Sequence, residues 1–273
     1  QPGAETSSPL KYGARHPDEG LGKRRVRVYG RIKFTDEEQQ MATVSVTDLA
    51  ILAQWDTPTI SNGQELVVPE RRALGYTIEQ MVCLHPGLSP IVGYARTATI
   101  RAMTAPTISP ETIKATRAAY YEHIAESPGP SISVIQDLDS TSGFGAFWGE
   151  VNTAVHKGLG CIGAVTNGSI RDLDACAPGF QLLAGKIGPS HAHVHVVNYA
   201  CEVNVFSMVV NPGDIVHADR HGAVVIPIDA VTALPEAINR LERREAVILK
   251  SARSPKFNVE KLKQATADAL EIH

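Results

Sequence analysis

The sequence predicts a mixed α/β domain, and three observations predict it. Short runs of β-branched residues alternate with capped helical segments along most of the chain. Hydrophobic residues fill 43% of the 273 positions, a share usual for folded domains and ample for a core without staples. The 22 glycines set against 5% aromatics fit tight backbone turns better than an aromatic stacking platform.

The elements follow in order. Residues 1–40 are polar and gather Lys23, Arg24, Arg25, Arg27, Arg31 and Lys33 within eleven positions. They read as a basic arm for an acidic partner, or as an extension packed on a neighbour or partly disordered. The chain opens on Gln1, as a fragment or trimmed product would, and Met41 is a second plausible beginning. Thr47–Leu52 reads as a capped helix start, and Asp56-Thr57-Pro58 as a breaker opening a second helix. Residues 91–100 form a β-branched strand after the Pro86-Gly87 turn, and 109–126 a helix with Ser109 as N-cap and Pro110 at its first position. A strand at 131–136 leads into Asp137-Leu138-Asp139. A helix at 147–157 precedes a buried-type strand, 161–165, that ends at an Asn167-Gly168 turn. Further strands are expected at 194–198, 203–210 and 223–227, and helices at 229–248 and 258–270. This gives an N-terminal extension, 1–40, an α/β domain, 41–228, and a helical C-terminal tail, 229–273.

Charge excludes some functions. The 26 basic and 29 acidic side chains leave a net charge of −3, so no overall basic field supports nucleic-acid binding. Cys83, Cys161, Cys176 and Cys201 show no Cys-x-x-Cys spacing and read as reduced thiols of a cytoplasmic protein. No apolar run reaches the roughly 18 residues of a membrane helix, and no signal peptide is visible.

Chemistry concentrates between residues 143 and 172. Gly143-Phe144-Gly145-Ala146-Phe147-Trp148-Gly149-Glu150-Val151-Asn152 is a glycine-rich loop that turns into a helix near Gly149. Unpaired amides at a helix N-terminus favour a bound anion. Twenty residues separate Glu150 from Arg171-Asp172, enough to run down a helix and back along one strand to the same end. Arg171 can grip a carboxylate bidentately, and Asp172 offers a hard oxygen ligand for a divalent cation. Taken alone, such a pair after a turn is more often a surface ion pair or cap; spacing and context together bring the site reading level with that one.

The segment Trp148-Gly149-Glu150 … Gly163-Ala164-Val165-Thr166-Asn167-Gly168-Ser169-Ile170-Arg171-Asp172 resembles the signature of the RraA-like family. That family includes class II 4-hydroxy-4-methyl-2-oxoglutarate aldolases and the protein regulator of ribonuclease E. Residues 90–99 and the Pro212-Gly213-Asp214 … Asp219-Arg220-His221-Gly222-Ala223-Val224 block are similar to two further family segments, so the resemblance runs from about Asp48 to Ser251. It implies a swivelling β/β/α domain, assembled as homotrimers or homohexamers with sites at subunit interfaces. It implies that the amides of Gly149, Glu150, Val151 and Asn152, with Arg171, hold a pyruvyl group, and that Asp172 holds magnesium or manganese largely through water. The implied activity is a metal-dependent lyase releasing pyruvate from a 4-hydroxy-2-oxo acid or oxaloacetate. Glu150 would act as general base or as support for the loop. Two other readings stay open: a non-catalytic regulator of a ribonuclease or helicase, and a diverged enzyme acting on another keto acid.

Other features carry less. His191, His193 and His195 alternate as if on one strand face; without a fourth ligand they read as solvent or interface histidines, with substrate contacts as the alternative. His156 and Lys157 read as exposed helix residues. Asp219-Arg220-His221-Gly222 reads as a hairpin turn with Asp214 as its supporting acid. Neither Cys161 nor Cys176 has an activating histidine in view, which argues against a thiol nucleophile.

Overall fold

In the computed structural model, which describes residues 44–273, the chain opens with two capped helices. The basic cluster of residues 1–40 and the proposed beginning at Met41 lie outside the described residues. Helix α1 (Val46–Leu52) has a reciprocal capping box: Ser45 Oγ accepts from Asp48 N at 3.1 Å, and the Asp48 carboxylate accepts from Ser45 N at 3.0 Å. Helix α2 (Thr57–Val67) is capped by Asp56, which accepts from Thr59 N at 2.9 Å, with Pro58 in the first turn. There follow β1 (Val82–Cys83), β2 (Ile91–Arg101), α3 (Pro110–Ala125) with Ser109 as its N-cap, and β3 (Ser131–Asp137). The middle of the chain supplies β4 (Ala146–Trp148), α4 (Glu150–Gly158), β5 (Cys161–Ile170), β6 (Gln181–Ile187) and β7 (His195–Tyr199). The last elements are β8 (Val203–Val205), β9 (Met208–Val210), β10 (Ile215–Asp219), β11 (Gly222–Ile226), α5 (Leu234–Ala252) and α6 (Val259–Leu270).

Among the described residues, nine strands form one mixed sheet in the order β1-β6-β5-β3-β2-β10-β11, with β4 beside β5 and β7 beside β2. Strands β2, β3, β5 and β6 run parallel, which requires crossovers; α3 supplies one and α4 another. Residues alternate between the two faces of these strands. On one face Ala98, Ile100 and Ile135 pack with Tyr120 and Ile124 of α3 and with Trp148 and Phe180. On the other, Ala95, Val134, Val165 and Leu183 meet Val203, Val205, Met208 and Val210 of the separate β8-β9 hairpin. A third cluster joins Leu49, Leu52 and Ile60 to Ile226, Leu234 and Ile238, so the first turns of α5 belong to the same compact unit as the sheet.

Several expected boundaries move. The helix expected at 147–157 gives up Phe147 and Trp148 to β4, because both rings are buried beside β5 and α4 begins only after Gly149. Asn167-Gly168 is not a turn: β5 continues to Ile170 through a register shift between Thr166 and Ser169. Asn167 spends its side chain there, accepting from Asp137 N at 2.7 Å and donating to Asp137 O at 3.0 Å. The expected strand 203–210 is a hairpin that reverses at Phe206 and Ser207, both at positive φ. The helix expected at 229–248 starts later and runs to Ala252. Asp219, rather than Asp214, supports the 219–222 turn, accepting from His221 N at 2.8 Å; Asp214 braces Asn211 N.

Candidate functional site

The parallel pairing of β4 with β5 builds the site. Trp148 lies opposite Ile170, and Arg171 N donates to Trp148 O at 3.0 Å, so the residues that follow each strand emerge side by side. On one side that is Gly149 and the start of α4; on the other it is Arg171 and Asp172. Asp172 adopts the left-handed conformation, φ 54°, and its carbonyl accepts from Ala175 N at 2.9 Å and Cys176 N at 3.1 Å, which fixes the turn. Its Oδ2 lies 3.4 Å from Glu150 N and 3.5 Å from Arg171 Nε. Gly149, Glu150, Arg171 and Asp172 are thus neighbours in space, as their spacing predicts.

Gly149 is a glycine for reasons of room. A Cβ there would stand 2.6 Å from Asp172 Oδ2 and 3.2 Å from Arg171 Cγ. Gly149 caps α4 without any side-chain hydrogen bond, so first-turn amides have no partner within the helix and face outward with the positive end of its dipole. Asn152 contributes backbone rather than side chain: its Nδ2 donates to Phe147 O, and its Oδ1 accepts from Tyr121 at 3.3 Å.

These groups line a cavity of about 300 Å³ together with Arg117, Ala146, Phe147, Val151, His191 and Val194. The Glu150 side chain is exposed on α4 and is not among the lining residues, although its amide meets Asp172. Sequence reasoning did not single out Arg117, which sits on α3 with Nε donating to Tyr121 Oη at 3.3 Å. Nothing local distinguishes it from the other charges of that helix. His191 did carry a signal, the alternating histidines, but His193 and His195 do not share its cavity.

Behind the cavity lies a buried polar chain that corrects one expectation. His156 is fully buried, not exposed. Its Nδ1 donates to Asn152 O at 2.6 Å, which leaves Nε2 to accept from Tyr120 at 2.7 Å; Tyr120 in turn accepts from Ser133 at 3.0 Å. Burial lowers the His156 imidazole to about 4, so the ring is neutral. Cys161 is pushed up to about 11 by burial, and burial also raises Cys176, so neither is an activated thiol. Among the described residues, no cluster of three or more His, Cys, Asp or Glu side chains could enclose a metal ion. No described helix is long and apolar enough to cross a membrane.

The chain is similar to several known proteins. The profile of the RraA-like family (Aldolase/RraA) matches residues 57–225. Protein DlpA of Legionella pneumophila is 28% identical over 129 residues, covering 43% of this chain and only 19% of that protein's length. The crystal structure of an uncharacterized protein from Pseudomonas syringae superposes with a TM-score of 0.61 at 19% identity, over 82% of this chain and 94% of that one. RraAS2 of Streptomyces coelicolor, described as an unusual member of the RNase ES inhibitor RraA family, gives a TM-score of 0.60 at 20% identity, over 76% of this chain and 98% of its own. At these identities the two superpositions speak for the fold.

Proposed function

Because the chain belongs to the RraA-like family of aldolase and RraA proteins, we propose that it is a divalent-metal-dependent lyase that releases pyruvate from a 2-oxo acid, by cleaving a 4-hydroxy-2-oxo acid or decarboxylating oxaloacetate. One observation carries this reading: the motif residues Arg171 and Asp172 stand against Gly149 and the open end of α4, on one cavity of small-molecule size. A purely protein-binding regulator has no use for that convergence.

Arg171 presents a planar fork to the substrate carboxylate, and the α4 amides of Glu150, Val151 and Asn152 present donors to the same pyruvyl end. Charge that develops on the 2-oxygen as the C3–C4 bond breaks meets the guanidinium and these fixed dipoles, which need no reorganisation. The donor set also fits a magnesium or manganese ion. Asp172 is a single half-exposed carboxylate, which suits a small hard cation that keeps most of its waters, rather than an all-protein cage. When bound, that ion supplies Lewis acidity to the keto group. The Glu150 side chain lies outside the cavity lining, and its amide is the group that meets Asp172. Family resemblance makes a homotrimer or homohexamer, in the cytoplasm, the assembly to test for.

A pyruvate-release assay on several 4-hydroxy-2-oxo acids and on oxaloacetate, with and without magnesium, tests the reading. Release is expected only with the metal, and Asp172→Ala is expected to lower it at least a hundredfold. Silence across the panel, or full metal-dependent release by that variant, overturns the lyase in favour of a regulator or another keto-acid chemistry.

A further inference from the structure

Aldol cleavage needs an acceptor for the proton of the substrate's 4-hydroxyl, and few groups around this cavity can serve. Arg117 and Arg171 have no lone pair to offer. Asp172 Oδ2 already faces Glu150 N and Arg171, and Asp172 is the residue assigned to the metal. The Glu150 side chain is not part of the lining. His191 is the remaining titratable group among the described lining residues.

The structure gives His191 the form of a built position. It sits in the loop between β6 and β7, held from three sides. Gly188 N donates to Ile170 O at 2.9 Å, Ala146 N to Ser190 O at 2.8 Å, and His193 N to Ala102 O at 3.1 Å. The His191 carbonyl accepts from Val194 N at 3.0 Å and packs so closely on Gly145 that a Cβ there would stand 2.6 Å from it. Ala192, a residue with no excuse in its side chain, is held at φ 46° to complete the turn. The ring is oriented as well: Nδ1 lies 2.8 Å from Ala192 O. A carbonyl only accepts, so Nδ1 carries a hydrogen, and in the neutral ring Nε2 is the nitrogen with the lone pair.

We propose that His191 is the catalytic proton acceptor of the aldol cleavage, a role that rests on the lyase reading above. The 4-hydroxyl proton passes to His191 Nε2 and the O–H pair becomes the new C4 carbonyl bond. The C3–C4 bond breaks, and its electron pair forms the pyruvate enolate. The imidazolium then returns its proton to C3, so that an aldehyde or ketone and pyruvate leave and the enzyme is restored. Oxaloacetate has no 4-hydroxyl. Its decarboxylation breaks the corresponding bond with loss of carbon dioxide, and C3 can take its proton from water.

This difference supplies the test. In the full chain with magnesium, His191→Gln is expected to lower kcat for a 4-hydroxy-2-oxo acid by about 10²- to 10³-fold, while decarboxylation of oxaloacetate falls less than about tenfold. Added imidazole is expected to restore cleavage in His191→Ala. The ¹⁵N spectrum of the unaltered protein, without metal or substrate, is expected to show the Nδ1–H tautomer at His191. Retained cleavage in both variants, an equal loss of both reactions, or an Nε2–H tautomer overturns the assignment and leaves the lyase reading intact. An unaltered protein active on neither substrate overturns both.

Discussion

Gly149 illustrates how much a single residue can hide from sequence reasoning. Its backbone is extended, φ −174°, a conformation open to any residue, so torsion does not demand glycine. What demands it is the Asp172 oxygen 2.6 Å from where a Cβ would lie. Gly149→Ala must therefore displace the carboxylate or the helix start by some tenths of an ångström. Pyruvate release is expected to fall, by at most about the hundredfold that a 1 Å misplacement at a reacting centre can cost, while the circular dichroism spectrum stays unchanged. An active Gly149→Ala enzyme would show that the close approach is not part of the chemistry. The Glu150, Arg171 and Asp172 pattern was legible because one helix and one strand separate its members, so their spacing encodes their meeting. Arg117 and His191 reach the cavity from α3 and from the loop after β6. Their convergence depends on sheet order, which no local pattern records.

At the scale of elements, α4 shows where periodicity misleads. Its inner face carries Thr153 and His156 in place of apolar side chains, so a polar count assigns that face to solvent. Tertiary partners reverse the assignment: Thr153 Oγ1 accepts from Ala177 N at 2.9 Å, and His156 is satisfied at both ring nitrogens. Tyr120→Phe removes the donor to Nε2 and leaves a buried acceptor unpaired, which is expected to cost about 1–3 kcal/mol. The urea midpoint should fall with the slope of the transition unchanged. No shift in midpoint would mean that water replaces the hydroxyl. The strands of the parallel core were easier to read: β3 is buried from Ser131 to Ile135, and Ile132, Val134 and Ile135 supply the β-branched side chains alongside two small serines. β6 was missed because Gln181-Leu182-Leu183-Ala184-Gly185-Lys186 has neither alternation nor β-branching.

For the whole molecule, buried histidines shape the response to acid: burial lowers His123, and lowers His156 and His217 further. His156 and His217 both titrate near 4 because burial disfavours their charged forms, against 6.5 for an exposed imidazole. His217 is held neutral between Thr57 Oγ1 and Trp55 O, each at 3.0 Å. The unfolded chain therefore takes up these protons first. Stability is complete above pH 6.5 and is lost as pH falls toward 4, by up to about 3 kcal/mol for each ring. Urea unfolding at pH 7.5, 5.5 and 4.5 should show this decline, and His156→Gln should flatten part of it. A midpoint independent of pH over that range would contradict the neutral, buried assignment.

The position of β2 in the sheet has a consequence in time. One of its edges is covered by β3, but the other is shared by two later strands, β10 along Ile91–Tyr94 and β7 along Ala98–Arg101. At about 5–20 residues added per second, that second edge waits roughly 5 to 25 s after Arg101 is made before β7 and β10 are complete. During synthesis an eleven-residue, largely apolar strand thus presents unpaired backbone to its surroundings. Slow translation between residues 102 and 219 lengthens the interval in which nascent chains can pair edge to edge, and chaperone capture is most useful to this protein there.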